Sequence, residues 1–395
     1  MDNQTDNGQM LYVDLVQDVV LSAINNRASD IHFEPQRETF DVRYRVDGIL
    51  YPVKNLGRNL QEEVTSKIKV LCKMDITEHR LPQDGHFEFK DQDKIYNIRV
   101  STLPGLYGET IVLRIFDREE ILIKLESLGL EEDQLRLINN LITSPSGMIL
   151  TTGPTGSGKT TFLYSILHAL NKPDKNIVTL EDPIEFQMAG LRQTNINEAM
   201  NLTFAKAMRS VVRQDPDIVM LGEIRDDETA QMAIQAALTG ILIFSTFHTF
   251  DVPALVTRFI EMGISSSVAA QIIKGVISIR LVRKVCFSCR EPYVMTDTQR
   301  QFLGLSSNVQ VFQRGKGCNL CQAKGYTGRT GIFEIVYFDD EIRAAIIEKK
   351  PASYLYELLS KKNIKSLKTS AISKVAQGVT TIEEIVRVMG VFLQA

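Results

Sequence analysis

A chain of 395 residues is too long for one compact core and suggests two or three domains, while 44% apolar and 24% charged residues are the proportions of an ordinary globular protein. A net charge of −3 argues against a sequence-independent nucleic-acid binder, which would carry a basic excess. Met1 to Gly8 is polar and acidic, unlike a signal peptide, and no apolar run approaches the ~20 residues that span a bilayer, so a cytoplasmic protein, at most peripheral to a membrane, is expected.

Along the chain, Leu11, Leu15, Val16, Val19, Val20 and Ala23 recur at helical spacing and predict an opening amphipathic helix to Asn26. Ala28 to Pro35 follows, and then Phe40 to Val46 alternates apolar and polar residues up to Asp47-Gly48, a hairpin signal. A helix is predicted from about Asn59 to Met74, with strands over His86 to Lys90, Lys94 to Leu103 and Glu109 to Phe116. Residues 1–118 thus read as a small α+β domain, and 119–145 as a linker with a connecting helix.

From Gly147 the pattern becomes α/β. Gly147 to Thr151, Ile177 to Leu180, Asp217 to Gly222 and Ile241 to Thr246 are short apolar runs alternating with helices, as in a parallel sheet buried on both faces. This domain is expected over 146–395, helical beyond about Met262 except for a cysteine-bearing segment.

The stretch Gly153-Pro154-Thr155-Gly156-Ser157-Gly158-Lys159-Thr160 fits G-x-x-x-x-G-K-[ST] at every fixed position, between the strand Gly147 to Thr151 and a helix expected over Thr161 to Leu170. Its glycines let backbone N–H groups turn toward phosphates, Lys159 brings a point charge to the β/γ oxygens, and the Thr160 hydroxyl can ligate Mg²⁺. A glycine-rich turn alone would explain neither the lysine nor the hydroxyl. The apolar runs that follow deliver Glu181 and Asp182, then Glu223, just beyond their ends, where ligands of α/β sheets bind. Nucleotide hydrolysis needs one acid for Mg²⁺ and another to orient water.

His248 lies just past a third such strand, within reach of a γ-phosphate, although taken alone it reads as an ordinary partly buried histidine. Arg99 and Arg114 fall on what read as adjacent strands. They could stabilise phosphoryl charge, yet by themselves they read as residues of a solvated sheet face. Cys286 and Cys289 pair as C-x₂-C, as do Cys318 and Cys321 about 28 residues on. Two such knuckles complete a closed S₄ site for structural Zn²⁺.

Together these motifs resemble the hexameric secretion and pilus ATPases, in the type II secretion and type IV pilus assembly branch, over nearly the whole chain from Ala28. Ala28 to Pro35 and Arg80 to Gly85 resemble that family's signatures before the motor. Thr179 to Glu185 resembles its aspartate box, Gly222 to Asp226 its Walker B motif, and Thr239 to Thr249 its histidine box. The resemblance implies a RecA-like motor domain that binds ATP and Mg²⁺ at Gly153 to Thr161. It also implies a preceding PAS-like α+β domain and a helical, zinc-bearing C-terminal region.

By resemblance Glu181 orients the attacking water, Glu223 joins Thr160 at Mg²⁺, His248 contacts the γ-phosphate, and Arg99 and Arg114 are arginine fingers. The implied partners are five further copies in a homo-hexameric ring, a polytopic inner-membrane platform protein and a membrane-associated recruiting protein, with no nucleic acid. The four cysteines point to the assembly branch. Two departures stand out. Ile241 replaces the first histidine of the histidine box, and only about 27 residues precede Ala28, so docking through an extra N-terminal domain is not expected. The competing readings are a nucleic-acid-translocating ATPase and a weakly hydrolysing scaffold subunit.

Overall fold

A computed structural model describes residues 6–117, 123–297, 299–300 and 311–390. The chain divides into two compact units, Met1–Glu120 and Ile121–Ala395. The last residue of the expected first domain, 118, and the start of the expected linker, 119–122, lie outside the described residues.

In the first unit β1 (Ala28–Pro35), β2 (Thr39–Val46), β3 (Ile49–Gly57), β4 (Gln83–Asp91), β5 (Lys94–Gly105) and β6 (Gly108–Asp117) form one antiparallel sheet, ordered β3-β2-β1-β6-β5-β4. Alternation decides its faces. Phe40, Val42, Tyr44 and Val46 of β2 point inward with Ile98, Val100, Ile111 and Leu113, and α1 (Asp6–Asn25) and α2 (Gln61–Leu71) cover them through Val16, Val20, Val64 and Ile68. Asp47 and Gly48 both take positive φ, 49° and 85°, which lets a two-residue turn match the twist of β2 and β3.

The second unit is built on a seven-stranded sheet. Its strands are β7 (Gly147–Thr152), β8 (Ile177–Glu181), β9 (Arg192–Asn195), β10 (Ile218–Leu221), β11 (Leu242–Phe247), β12 (Ile273–Val285) and β15 (Tyr326–Tyr337), ordered β15-β12-β7-β11-β10-β8-β9. All pairs are parallel except β12 with β15. A parallel sheet needs both faces covered, and here α3 (Glu132–Ile142) and α4 (Lys159–Leu170) cover one face while α5 (Phe204–Val211), α6 (Asp227–Leu238), α7 (Val252–Glu261) and α8 (Ser266–Ile272) cover the other. The connecting helix α3 belongs to this unit: a Glu131–Gln134 capping box starts it, and Gln134 Nε2 donates to Phe333 O at 2.9 Å.

Beyond Met262 the expectation of a mainly helical region is not met. β12 has 13 residues and β15 has 12, and β13 (Arg290–Val294) pairs with β14 (Val311–Gly315) in a separate small sheet. Ile273 to Val285 has the length of a helix, and although Ile277, Ile279 and Leu281 alternate with Ser278 and Arg280, buried Val276 and Val282 on the other face break the two-residue pattern. Helices do close the chain: α9 (Asp340–Ile347), α10 (Ala352–Lys361), α11 (Leu367–Ala376) and α12 (Ile382–Met389).

Candidate active site

The phosphate loop is the six-residue turn between β7 and α4. Gly158, at φ 91°, is the N-cap of α4 and no side chain caps that helix, so its first N–H groups are left for an anion. Thr160 and Thr161 lie in its first turn, and Pro154, Thr155 and Gly156 form the exposed crest. Gly153 can only be glycine: a Cβ there would lie 2.5 Å from Ser157 Oγ and 2.7 Å from Ile279 O.

Lys159 is buried, and its Nζ donates to Gly153 O at 2.7 Å and Pro154 O at 3.1 Å. Burial pushes its ammonium from 10.5 down to about 8, with Glu223 pulling it up and Arg280 pushing it further down. Ser157 Oγ is buried and makes no hydrogen bond. A buried ammonium held only by carbonyls, beside an orphaned hydroxyl and uncapped amides, fits the oxygens of a polyphosphate.

Glu223 follows β10, and His248 follows the neighbouring β11. Nε2 of His248 lies 3.0 Å from Glu223 Oε2, and Arg225 donates to Glu223 Oε1. Burial works against the Glu223 charge, but the hydrogen bonds from Arg225 and His248 prevail and hold its carboxyl below the ordinary range. Glu223, an ionised carboxylate whose charge reaches Lys159, offers the kind of oxygen ligand a hard cation such as Mg²⁺ takes.

Glu181, the last residue of β8, is in a different setting. It is 3% exposed, and both its oxygens accept: from Tyr164 Oη and Thr179 Oγ1, each at 2.5 Å, and from Gln193 Nε2 at 3.2 Å. Burial, reinforced by the Glu181 charge, raises the Tyr164 phenol well above its usual value, so the phenol stays a donor.

Arg99 and Arg114 belong to the first unit and face each other directly across β5 and β6. Arg114 Nε donates to buried Asp30 Oδ1 at 2.8 Å, and the Arg99 guanidinium lies 4.5 Å from the centre of the Phe116 ring. Both point away from that unit's core, and the Arg114 side chain is 59% exposed.

The four cysteine sulfurs lie within 4.8 Å of one another. Cys286–Cys318 and Cys289–Cys321 are 3.8 Å apart and Cys318–Cys321 3.7 Å. A tetrahedron with Zn–S bonds of ~2.3 Å has edges of about 3.8 Å, so these residues fit Zn²⁺. The N–H groups of Gly317, Cys318 and Gly325 donate to Cys289 and Cys321 sulfurs at 3.2–3.3 Å.

The motifs missed several residues that shape the site, Tyr164 and Gln193 around Glu181 and also Arg280, while Arg225 lay within the Walker B stretch without a role of its own. Arg280 left a signal, the one charged residue in the stretch Ile277 to Val282, where a buried charge needs a purpose.

A phosphate loop at the carboxyl end of a central parallel strand, with an acid and a histidine from neighbouring strand ends, defines a P-loop ATPase. The model of the family described as Type II/IV secretion system protein matches residues 4–387. Type II secretion system protein E of Dickeya dadantii is 44% identical over 374 residues, 95% of this chain and 75% of that protein. The type IV pilus assembly ATPase PilB of Myxococcus xanthus is 40% identical over 382 residues, 95% of this chain and 67% of that one.

Among solved structures, the Legionella pneumophila ATPase DotB aligns with a TM-score of 0.70 at 22% identity, over 94% of both chains. The pilus retraction motor PilT with bound ADP aligns at 0.61 and 23%, over 94% and 96%. These two likenesses speak for the fold alone. The chain belongs to the type II/IV secretion system protein family and is an ATPase of that family.

Proposed function

We propose that the chain is a RecA-like motor working as a homo-hexameric ring at the cytoplasmic face of the inner membrane. There it hydrolyses Mg²⁺-ATP to drive a polytopic platform protein, and so assembles a type IV pilus, a type II secretion pseudopilus or a DNA-uptake pilus. The observation that carries this reading is the convergence of Lys159, Glu223 and His248 at the ends of β7, β10 and β11, in a chain 44% identical to a type II secretion system protein E.

In the proposed division of labour, Gly153 to Thr161 hold the phosphates, Thr160 and Glu223 hold Mg²⁺, and His248 contacts the γ-phosphate. Glu181 orients water. Arg99 and Arg114 act as arginine fingers when the first, PAS-like unit closes on the nucleotide. Cys286, Cys289, Cys318 and Cys321 hold a structural Zn²⁺, and a membrane-associated protein recruits the ring.

The test is steady-state phosphate release with Mg²⁺-ATP, with and without DNA, alongside the solution mass with a non-hydrolysable analogue. Turnover indifferent to DNA and a particle of six times 44.5 kDa are expected. Turnover that depends on DNA would favour a translocating ATPase instead.

A further inference from the structure

Arg280 bears on the phosphates although no motif marks it. β12 pairs Ser278 with Thr152, the last residue of β7, and then overruns that strand as Ile279, Arg280 and Leu281. The overrun floors the phosphate loop. A Cβ on Gly153 would lie 2.7 Å from Ile279 O and 3.1 Å from Arg280 Nη1, and one on Gly158 would lie 3.3 Å from Leu281.

Arg280 is 5% exposed, and its Nη1 donates to Ile279 O at 2.9 Å. Among the described residues it makes no other hydrogen bond and no ion pair within 4.0 Å. The carboxylates of Glu334 and Asp251 reach it only at longer range. Glu334 is committed to the N–H of Leu367, and Asp251 caps α7 and accepts from Tyr356. Lys159, on the same loop, also lacks a contact carboxylate among the described residues. Two buried cations side by side without a contact anion are costly in a fold, and a polyphosphate offsets that cost.

We propose that Arg280 is a positioning residue for the nucleotide's phosphates: from beneath Gly153 it supports the loop and adds a permanent positive charge to that of Lys159. This rests on the phosphate-loop reading above. Arginine suits the task because its guanidinium stays charged when buried. The alternative is a space-filling strut, which predicts opposite results.

The test is Mg²⁺-ADP affinity and thermal unfolding of the full chain. Arg280→Met should weaken Mg²⁺-ADP about 10-fold, the order expected from losing one nearby buried charge, while leaving the nucleotide-free melting temperature unchanged or higher. Arg280→Lys, which keeps a cation, should stay within about 3-fold of wild type. Wild-type affinity in Arg280→Met, or equal losses in the Met and Lys variants, overturns the proposal.

Should Arg280→Met fail to fold, the double variant Glu334→Gln/Asp251→Asn decides. Stripped of both distant carboxylates, it should bind Mg²⁺-ADP about 3-fold tighter, and unchanged or weaker binding overturns the proposal. The two readings fail separately. If Lys159→Ala binds Mg²⁺-ADP like wild type, the phosphate-loop reading falls; if only Arg280→Met does, this inference alone falls.

Discussion

His248 Nε2 and Glu223 Oε2, delivered by adjacent strands, lie 3.0 Å apart. Together with Arg225 the imidazole helps keep ionised the carboxylate proposed to hold Mg²⁺. His248→Ala should lower kcat by about 10²-fold, the size of one preorganised donor's contribution, with ADP affinity within about twofold of wild type. Steady-state kinetics and ADP titration check this. A loss of ADP affinity matching the loss of kcat would mean that His248 shapes the pocket rather than the reaction.

Lys159 sets a pH dependence whose sign can be worked out. Its folded value of about 8 lies below the free value of 10.5. Between those values the unfolded chain holds the extra proton, so this residue's contribution to stability rises with pH; below about 8 both states are protonated and the buried charge opposes folding in full. Bound phosphates favour the ammonium, so above pH 8 ADP binding should take up a proton and weaken as pH rises, by at most about tenfold per pH unit. Calorimetry in buffers of different ionisation enthalpy measures the uptake, and Lys159→Met should abolish it.

The cysteine site predicts about one zinc per chain. Cys286 directly follows β12, and the same strand floors the phosphate loop at Ile279 to Leu281. Cys318→Ser should therefore lose the metal and lower the melting temperature, leaving every group that contacts nucleotide in place. Metal analysis of protein purified without chelators, with thermal melts, gives the result. Metal-free wild-type protein of normal stability would contradict the assignment.

Arg99 and Arg114 occupy directly opposed positions on β5 and β6, which suits two guanidinium groups serving one phosphoryl group. Either alanine substitution should depress turnover by about 10³-fold and leave ADP affinity nearly unchanged, since ADP lacks the group they contact. Lysine should rescue poorly because it lacks the planar fork. Arg114→Ala also strips buried Asp30 of a partner, so a melt distinguishes lost chemistry from lost packing.

The phosphate loop could be read because its chemistry fixes residue types at fixed spacing, and Glu223 and His248 because each follows a short apolar run. Asp47-Gly48 announced its hairpin through the positive φ that both positions adopt. β12 and β15 could not be read, because Val276 and Val282 in one and the pairs Ile332-Phe333 and Ile335-Val336 in the other put apolar residues on both faces and interrupt the alternation. Arg280 escaped for a related reason: its role comes from β12 running alongside β7, a contact between residues more than a hundred positions apart in sequence. The enclosure of Glu181 by Tyr164 and Gln193 also depends on the fold, since it joins α4, β8 and β9.

The most direct test of the central claim is Mg²⁺-ATP turnover by assembled wild-type protein beside Lys159→Ala and Glu181→Gln. The account predicts measurable turnover in the wild type, none in Lys159→Ala with weakened nucleotide binding, and none in Glu181→Gln with ATP still retained. Wild-type turnover in Lys159→Ala would contradict it, because hydrolysis would then not take place at the phosphate loop.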